Sequence, residues 1–260
     1  MRRSLLLFAV CAFSLTAADT MPFTGTWRVN LDKMQAPEKP NQVELGNGTF
    51  RCLTCDPKVD VKADGEDHPV KGNPSSDTMN VKIINDTTVE ITSKKGGKVV
   101  DTGKMTVSAD GNHLVSEDTS YPPNSSEPVT SKAQMKRVGS HKPGTHDVSG
   151  SWLLDKWLEL SENAKEVTFE ETQDGLNAKD QTGFSYSAKF DGKDYPVQGT
   201  PELDTVVLKR ISDSTVEEIL KYKGKVKNTS QMTVSADGKM MTIEWRGSTG
   251  FSGKSILEKK

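Results

Sequence analysis

Aromatic residues make up only 6% of this 260-residue chain, and there are just three cysteines. So few cysteines exclude a small scaffold held by several disulfides. No apolar run approaches the roughly 20 residues of a spanning helix, so no membrane span is expected. Neither sign of charge dominates: 34 Lys and Arg stand against 36 Asp and Glu, a formal net charge of −2. Without a basic cluster there is no electrostatic case for nucleic acid. Gly-x-Ser-x-Gly, His-Glu-x-x-His and Walker loops are all missing, which leaves an enzyme without a recognisable constellation. His68, His113, His141 and His146 show no ligand spacing, so neither a metal nor a cofactor is expected. What remains, 33% hydrophobic and 27% charged, suits an ordered chain of one or two domains.

The N-terminus carries a targeting signal. Arg2 and Arg3 precede an apolar run from Leu5 to Leu15 that ends in Thr16, Ala17 and Ala18. This order reads as a secretory signal peptide over residues 1–18, so the mature chain is expected to be exported, to the periplasm or the medium. Cys11 follows Val10 rather than a small residue, which argues against a lipid anchor.

The strongest signal is an internal repeat. Met105-Thr106-Val107-Ser108-Ala109-Asp110-Gly111 recurs, residue for residue, as Met232 to Gly238, 127 positions on. At that offset 28 of the 50 positions from Lys62 to Gly111 are identical, which excludes coincidence and marks a duplicated unit. Each unit opens with Gly-x-Trp, at Gly25-Thr26-Trp27 and Gly150-Ser151-Trp152, and closes on a basic strand near Arg137 or Lys259. The expected division is a first repeat at 19–138, a linker at 139–147 and a second repeat at 148–260, each folding separately.

Within a unit the apolar period is two. Met241, Ile243 and Trp245 alternate with Met240, Thr242 and Glu244, and Asp-Gly or Gly-Gly pairs recur at strand-length intervals. Such pairs supply the positive φ of tight hairpins. About eight strands per unit can close a small antiparallel up-and-down barrel, giving an all-β protein of two tandem barrels. One short helix is conceivable, from Trp157 to Lys165. A Gly-x-Trp on the first strand, an up-and-down order and a basic residue on the last strand together resemble the calycin superfamily, in particular exported bacterial lipocalin-like domains. That resemblance implies a first-strand tryptophan closing one barrel end beneath a terminal cation, pairing Trp27 with Arg137 and Trp152 with Lys259.

Cys52 and Cys55 are the only cysteines beyond residue 18. In an exported chain a disulfide is their natural state. Redox exchange and zinc remain alternatives, the first without a helix N-terminus to activate a thiol and the second short of two ligands. Glu218 is a candidate of another kind. If Val216 to Tyr222 alternates strictly, its carboxylate faces inward among Val216, Leu220 and Tyr222, where a ligand's amine or hydroxyl could meet it. A β-bulge at Glu217-Glu218 would turn both outward. At the repeat offset, Met241, Ile243 and Trp245 stand opposite Leu114, Ser116 and Asp118, and Tyr195 stands opposite His68. The second unit therefore has the more apolar lining, and Tyr195, Glu218, Met241, Ile243 and Trp245 form its candidate ligand wall. The alternative is that these side chains only fill a solid core. The leading functional expectation is a non-catalytic module holding a small apolar or amphipathic ligand. An envelope protein presenting loops 36–41 and 119–128 to a protein partner comes second, and an enzyme third.

Overall fold

The computed structural model describes residues 21–35 and 37–260; the segment 1–18, read above as a signal peptide, lies outside the described residues. The chain is all-β. Its first half supplies β1 (Gly25–Val29), β2 (Asn41–Gly46), β3 (Thr49–Cys52), β4 (Val59–Lys62) and β5 (Asp67–Pro69). There follow β6 (Thr78–Asn85), β7 (Thr88–Lys95), β8 (Lys98–Val107), β9 (His113–Ser120) and β10 (Val129–Val138). The second half begins with β11 (Gly150–Leu160), β12 (Glu166–Glu171), β13 (Gly175–Asp180), β14 (Ser185–Lys189) and β15 (Tyr195–Gln198). It ends with β16 (Thr205–Ser212), β17 (Thr215–Tyr222), β18 (Lys225–Val234), β19 (Met240–Gly247) and β20 (Ser252–Lys259). Ten strands per barrel replace the expected eight, because β2 to β5 and their counterparts are short pieces separated by tight turns. The segment from Trp157 to Lys165 is no helix: β11 runs to Leu160, and a single 3-10 turn, Glu162–Ala164, leads into β12.

The repeat boundary and the barrel boundary differ. One closed antiparallel barrel contains β12 to β20 in order, with β1 inserted between β12 and β20. The other ten-stranded sheet runs β4-β3-β2-β11-β10 and on through β9 to β5, so the first strand of the second repeat completes the first barrel. Residues 139–147 are therefore a hairpin loop within one barrel, which corrects the linker reading. His146 in that loop donates its backbone N–H to Leu45 O at 2.9 Å and sets its Nε2 2.7 Å from Asn85 O. The two Gly-x-Trp strands carry the same local signal, so that signal does not decide which barrel each enters.

The closed ends explain the Gly-x-Trp motif. Trp27 and Trp152 are fully buried, each donating its Nε1–H to a backbone carbonyl four residues earlier, Phe23 O at 2.7 Å and Val148 O at 2.8 Å. The exchange of strands also exchanges the expected cation partners. Lys259 pairs with Trp27 across β1–β20 and lies over its ring at 5.1 Å; Arg137 pairs with Trp152 across β10–β11 and lies over its ring at 4.1 Å. Arg137 also donates to Gly111 O, Asp147 O and Ser149 O, tying two loops under the barrel. A Cβ on Gly25 would come within 2.6 Å of Lys259 Cε, and one on Gly150 within 2.5 Å of Arg137 Nη1. Glycine is required there because the cation crosses it to reach the indole.

Around each tryptophan sits a separate core, with Phe23, Leu176, Leu208, Met232 and Met241 in the closed barrel and Leu45, Phe50, Val81, Val89 and Leu114 in its neighbour. The neighbour is nearly closed. Its edge strands β4 and β5 do not pair, whereas the matching β14 and β15 pair through Ser185–Gln198 and Tyr186–Val197. The Cys52–Cys55 disulfide is formed at the turn after β3. From there Asp56 reaches Lys227 at 2.7 Å and Ser248 at 3.1 Å on the other barrel.

Candidate functional site

The barrel interior opposite each tryptophan is where unusual side chains gather. In the closed barrel one cross-strand ring reads Leu208, Glu218, Ser230, Trp245, Gly253 from β16 to β20. Strict alternation holds through Glu218, since the bulge in β17 falls between Leu220 and Lys221 rather than at Glu217-Glu218. Glu217 points away and pairs with Lys209. Glu218 faces the lumen and accepts a 2.7 Å hydrogen bond from Tyr186 on β14. Two strands lie between β14 and β17 in the sheet, so this bond crosses the interior. Burial pushes the Glu218 carboxyl up from its ordinary value, partly offset by the Tyr186 donor. Burial and the nearby Glu218 raise the Tyr186 phenol well above its ordinary range. No ion pair to Glu218 is formed among the described residues.

Trp245 takes its place in this ring because its neighbour is glycine: a Cβ on Gly253 would stand 2.7 Å from the indole Cζ2. The indole is half-buried and lies outside the packed core. Of the other candidate residues, Ile243 packs beneath it, while Met241 is sealed in the core toward the tryptophan end. Tyr195 packs on the opposite wall beside Val206, its hydroxyl donating to Asp191 at 3.1 Å. The structure thus brings Glu218, Ile243 and Trp245 into the half of the barrel away from Trp27, with Met241 below and Tyr195 across. Tyr186, Ser230 and Gly253 were not singled out by sequence. A groove of about 450 Å³ is bordered by Ser230, Trp245 and Gly253 of this ring together with Gln35, Glu217 and Glu244. Two ion pairs run along its margin, Lys254 with Glu244 and Lys209 with Glu217.

The corresponding ring of the first barrel reads Val81, Ile91, Gly103, Asp118, Ser131. Each ring therefore holds one carboxylate, but on different strands. Asp118 accepts from Ser116 Oγ at 2.7 Å, and Asp101 stands one ring further out, paired with Ser93 and Ser120. Burial, then the charge of Asp118 and of Glu202, pushes Asp101 up to about 6. Its unfolded value is near 3.8, so the folded state holds this proton more tightly. The group's contribution is most favourable below about pH 4 and is lost as pH rises through about 6. Asp101→Asn is expected to stabilise the protein at pH 7, with the advantage fading towards pH 4. Urea unfolding of both forms across that range checks it; a pH-independent difference would refute it.

Among the described residues no three of His, Cys, Asp and Glu are placed to hold a metal ion, and no helix is long and apolar enough to cross a membrane. Fold and interior together define an all-β protein of two antiparallel barrels with differently lined lumens. Compared with known proteins, the chain matches no family model and no curated protein.

Proposed function

We propose that this chain is an exported, non-catalytic binding module built from two lipocalin-like barrels, the second of which holds a small apolar or amphipathic molecule in the half away from Trp27. The observation that carries the reading is the Tyr186–Glu218 pair, a carboxyl and a phenol meeting across a lumen walled by Val206, Leu208 and Leu220. Binding sites combine apolar walls with a few placed polar groups in this way. Lipocalin-like character is supported by the buried tryptophan under a cation at each closed end. Export is supported by the order of charged, apolar and small residues at 1–18. A disulfide suits the same compartment.

The protein-interaction reading has less support. Lys39, in the 36–41 loop, donates to Thr249 O at 2.7 Å and lies over Phe251, and Asn163 donates to Pro128 O at the end of the 119–128 loop. Each loop is thus held by contacts within the chain, although most of residues 121–128 stay exposed. The test of the binding reading is titration with an environment-sensitive apolar dye. Trp245→Ala is expected to weaken dye binding about tenfold, in line with the loss of one large aromatic contact. Undiminished binding by that variant would remove the second lumen as the site, and native mass spectrometry of protein from its own host would identify a retained molecule.

A further inference from the structure

Resting on that reading, we infer that the second barrel selects molecules with a protonated amine head and an apolar tail, the head seated against Glu218. Glu218 projects from β17 into an apolar interior, and its one hydrogen-bond donor among the described residues is Tyr186. A carboxylate offers about four acceptor positions, so most of its capacity is unused by the protein. The charge is also uncompensated, since no cation pairs with Glu218 among the described residues. A neutral hydroxyl could satisfy lone pairs but would leave that charge buried. An ammonium group does both, because a charge-assisted hydrogen bond offsets the desolvation of the two ions together.

The ring around Glu218 fits such a head. Ser230, its neighbour on β18, is small and already accepts from Asn228 at 2.8 Å, so it brings no charge to the carboxylate. Trp245, next along the same ring, gives an aromatic surface suited to a cation or to the first methylenes of a tail. Leu220 and Ile243 continue the apolar wall in the adjacent rings. The first barrel has Ile91 in the place of Glu218 and Asp118 in the place of Trp245. It therefore lacks this combination of one carboxylate with an aromatic partner.

The experiment compares n-octylamine with n-octanol, which share a tail and differ in head, by calorimetric titration of the whole protein at neutral pH. Octylamine is expected to bind at least about tenfold more tightly. Glu218→Gln is expected to abolish the preference, so that octylamine and octanol bind the variant with equal affinity. Should that variant fail to fold, Tyr186→Phe serves instead. It removes the phenol donor, keeps the carboxylate, and is expected to preserve the amine preference. Equal affinity for both probes overturns the head-group assignment but leaves an apolar binding module standing. Binding of neither overturns both readings. An amine preference that survives Glu218→Gln, or is lost in Tyr186→Phe, overturns the placement at Glu218.

Discussion

A chain lacking residues 1–36 is expected to lose the unfolding transition of the second barrel and keep that of the first. β1 is the only strand joining β12 to β20, and it pairs with both through Gly25 to Arg28 on one side and Trp27 to Val29 on the other. With it go Phe23 and Trp27, both fully buried. Truncating one buried tryptophan costs about 3–5 kcal/mol, a large part of the roughly 5–15 kcal/mol that holds a domain together. The equivalent strand β11 cannot stand in without leaving the first barrel, where it pairs with β10 along its whole length and with β2. Residues 41–160 keep every strand of the first barrel in one continuous segment. Calorimetry should therefore show one transition in place of two. A synthetic peptide of residues 21–35 should restore the other by closing the gap between β12 and β20. Two undiminished transitions without the peptide would show that β1 is dispensable.

The exchange was not legible in the sequence, and the reason is physical. Gly25-Thr26-Trp27 and Gly150-Ser151-Trp152 present the same docking signal, so local pattern cannot say which barrel each strand enters. The choice is made by the packing of the whole chain. The duplication and the strand type were legible because identity and two-residue alternation are local. Alternation placed Glu218 on the inner face and left a bulge as the alternative. What it could not supply was Tyr186, which lies 32 residues away and across the lumen. Asp101 escaped notice for a related reason. On β8 it reads as one polar residue in a mixed strand, and it becomes buried beside Asp118 only when the sheet curls, with Glu202 reaching it from the β15–β16 connection of the other barrel. The pair Glu171 and Arg210, 39 residues apart, is likewise a product of closure.

That pair sets the second large effect. Glu171 has only 3% of its side chain exposed, accepts the backbone N–H of Phe23 at 3.1 Å and is ion-paired with Arg210, whose guanidinium lies 4.1 Å from the centre of the Phe190 ring. Glu171→Ala is expected to cost about 3–5 kcal/mol, because it leaves a largely buried guanidinium without its counter-charge and an amide without an acceptor. The first barrel shows how the same place can be filled without charge. Leu45 occupies the position of Glu171, judged by its pairing with Phe50 as Glu171 pairs with Leu176, and Ile83 stands 127 residues before Arg210. There the amide matching Phe23 belongs to Val148, and it donates to His146 Nδ1 at 3.2 Å. Glu171→Leu combined with Arg210→Ile is therefore expected to recover most of the loss, since replacing both members of a buried ion pair by apolar groups is often close to neutral. A residual cost of about 1–2 kcal/mol should remain from the Phe23 amide, for which the second barrel has no histidine substitute. A double-mutant cycle by urea unfolding, using the two single Leu and Ile variants as its corners, measures the coupling. Additive losses, with the double variant as unstable as the sum of the singles, would show that the two charges do not depend on each other.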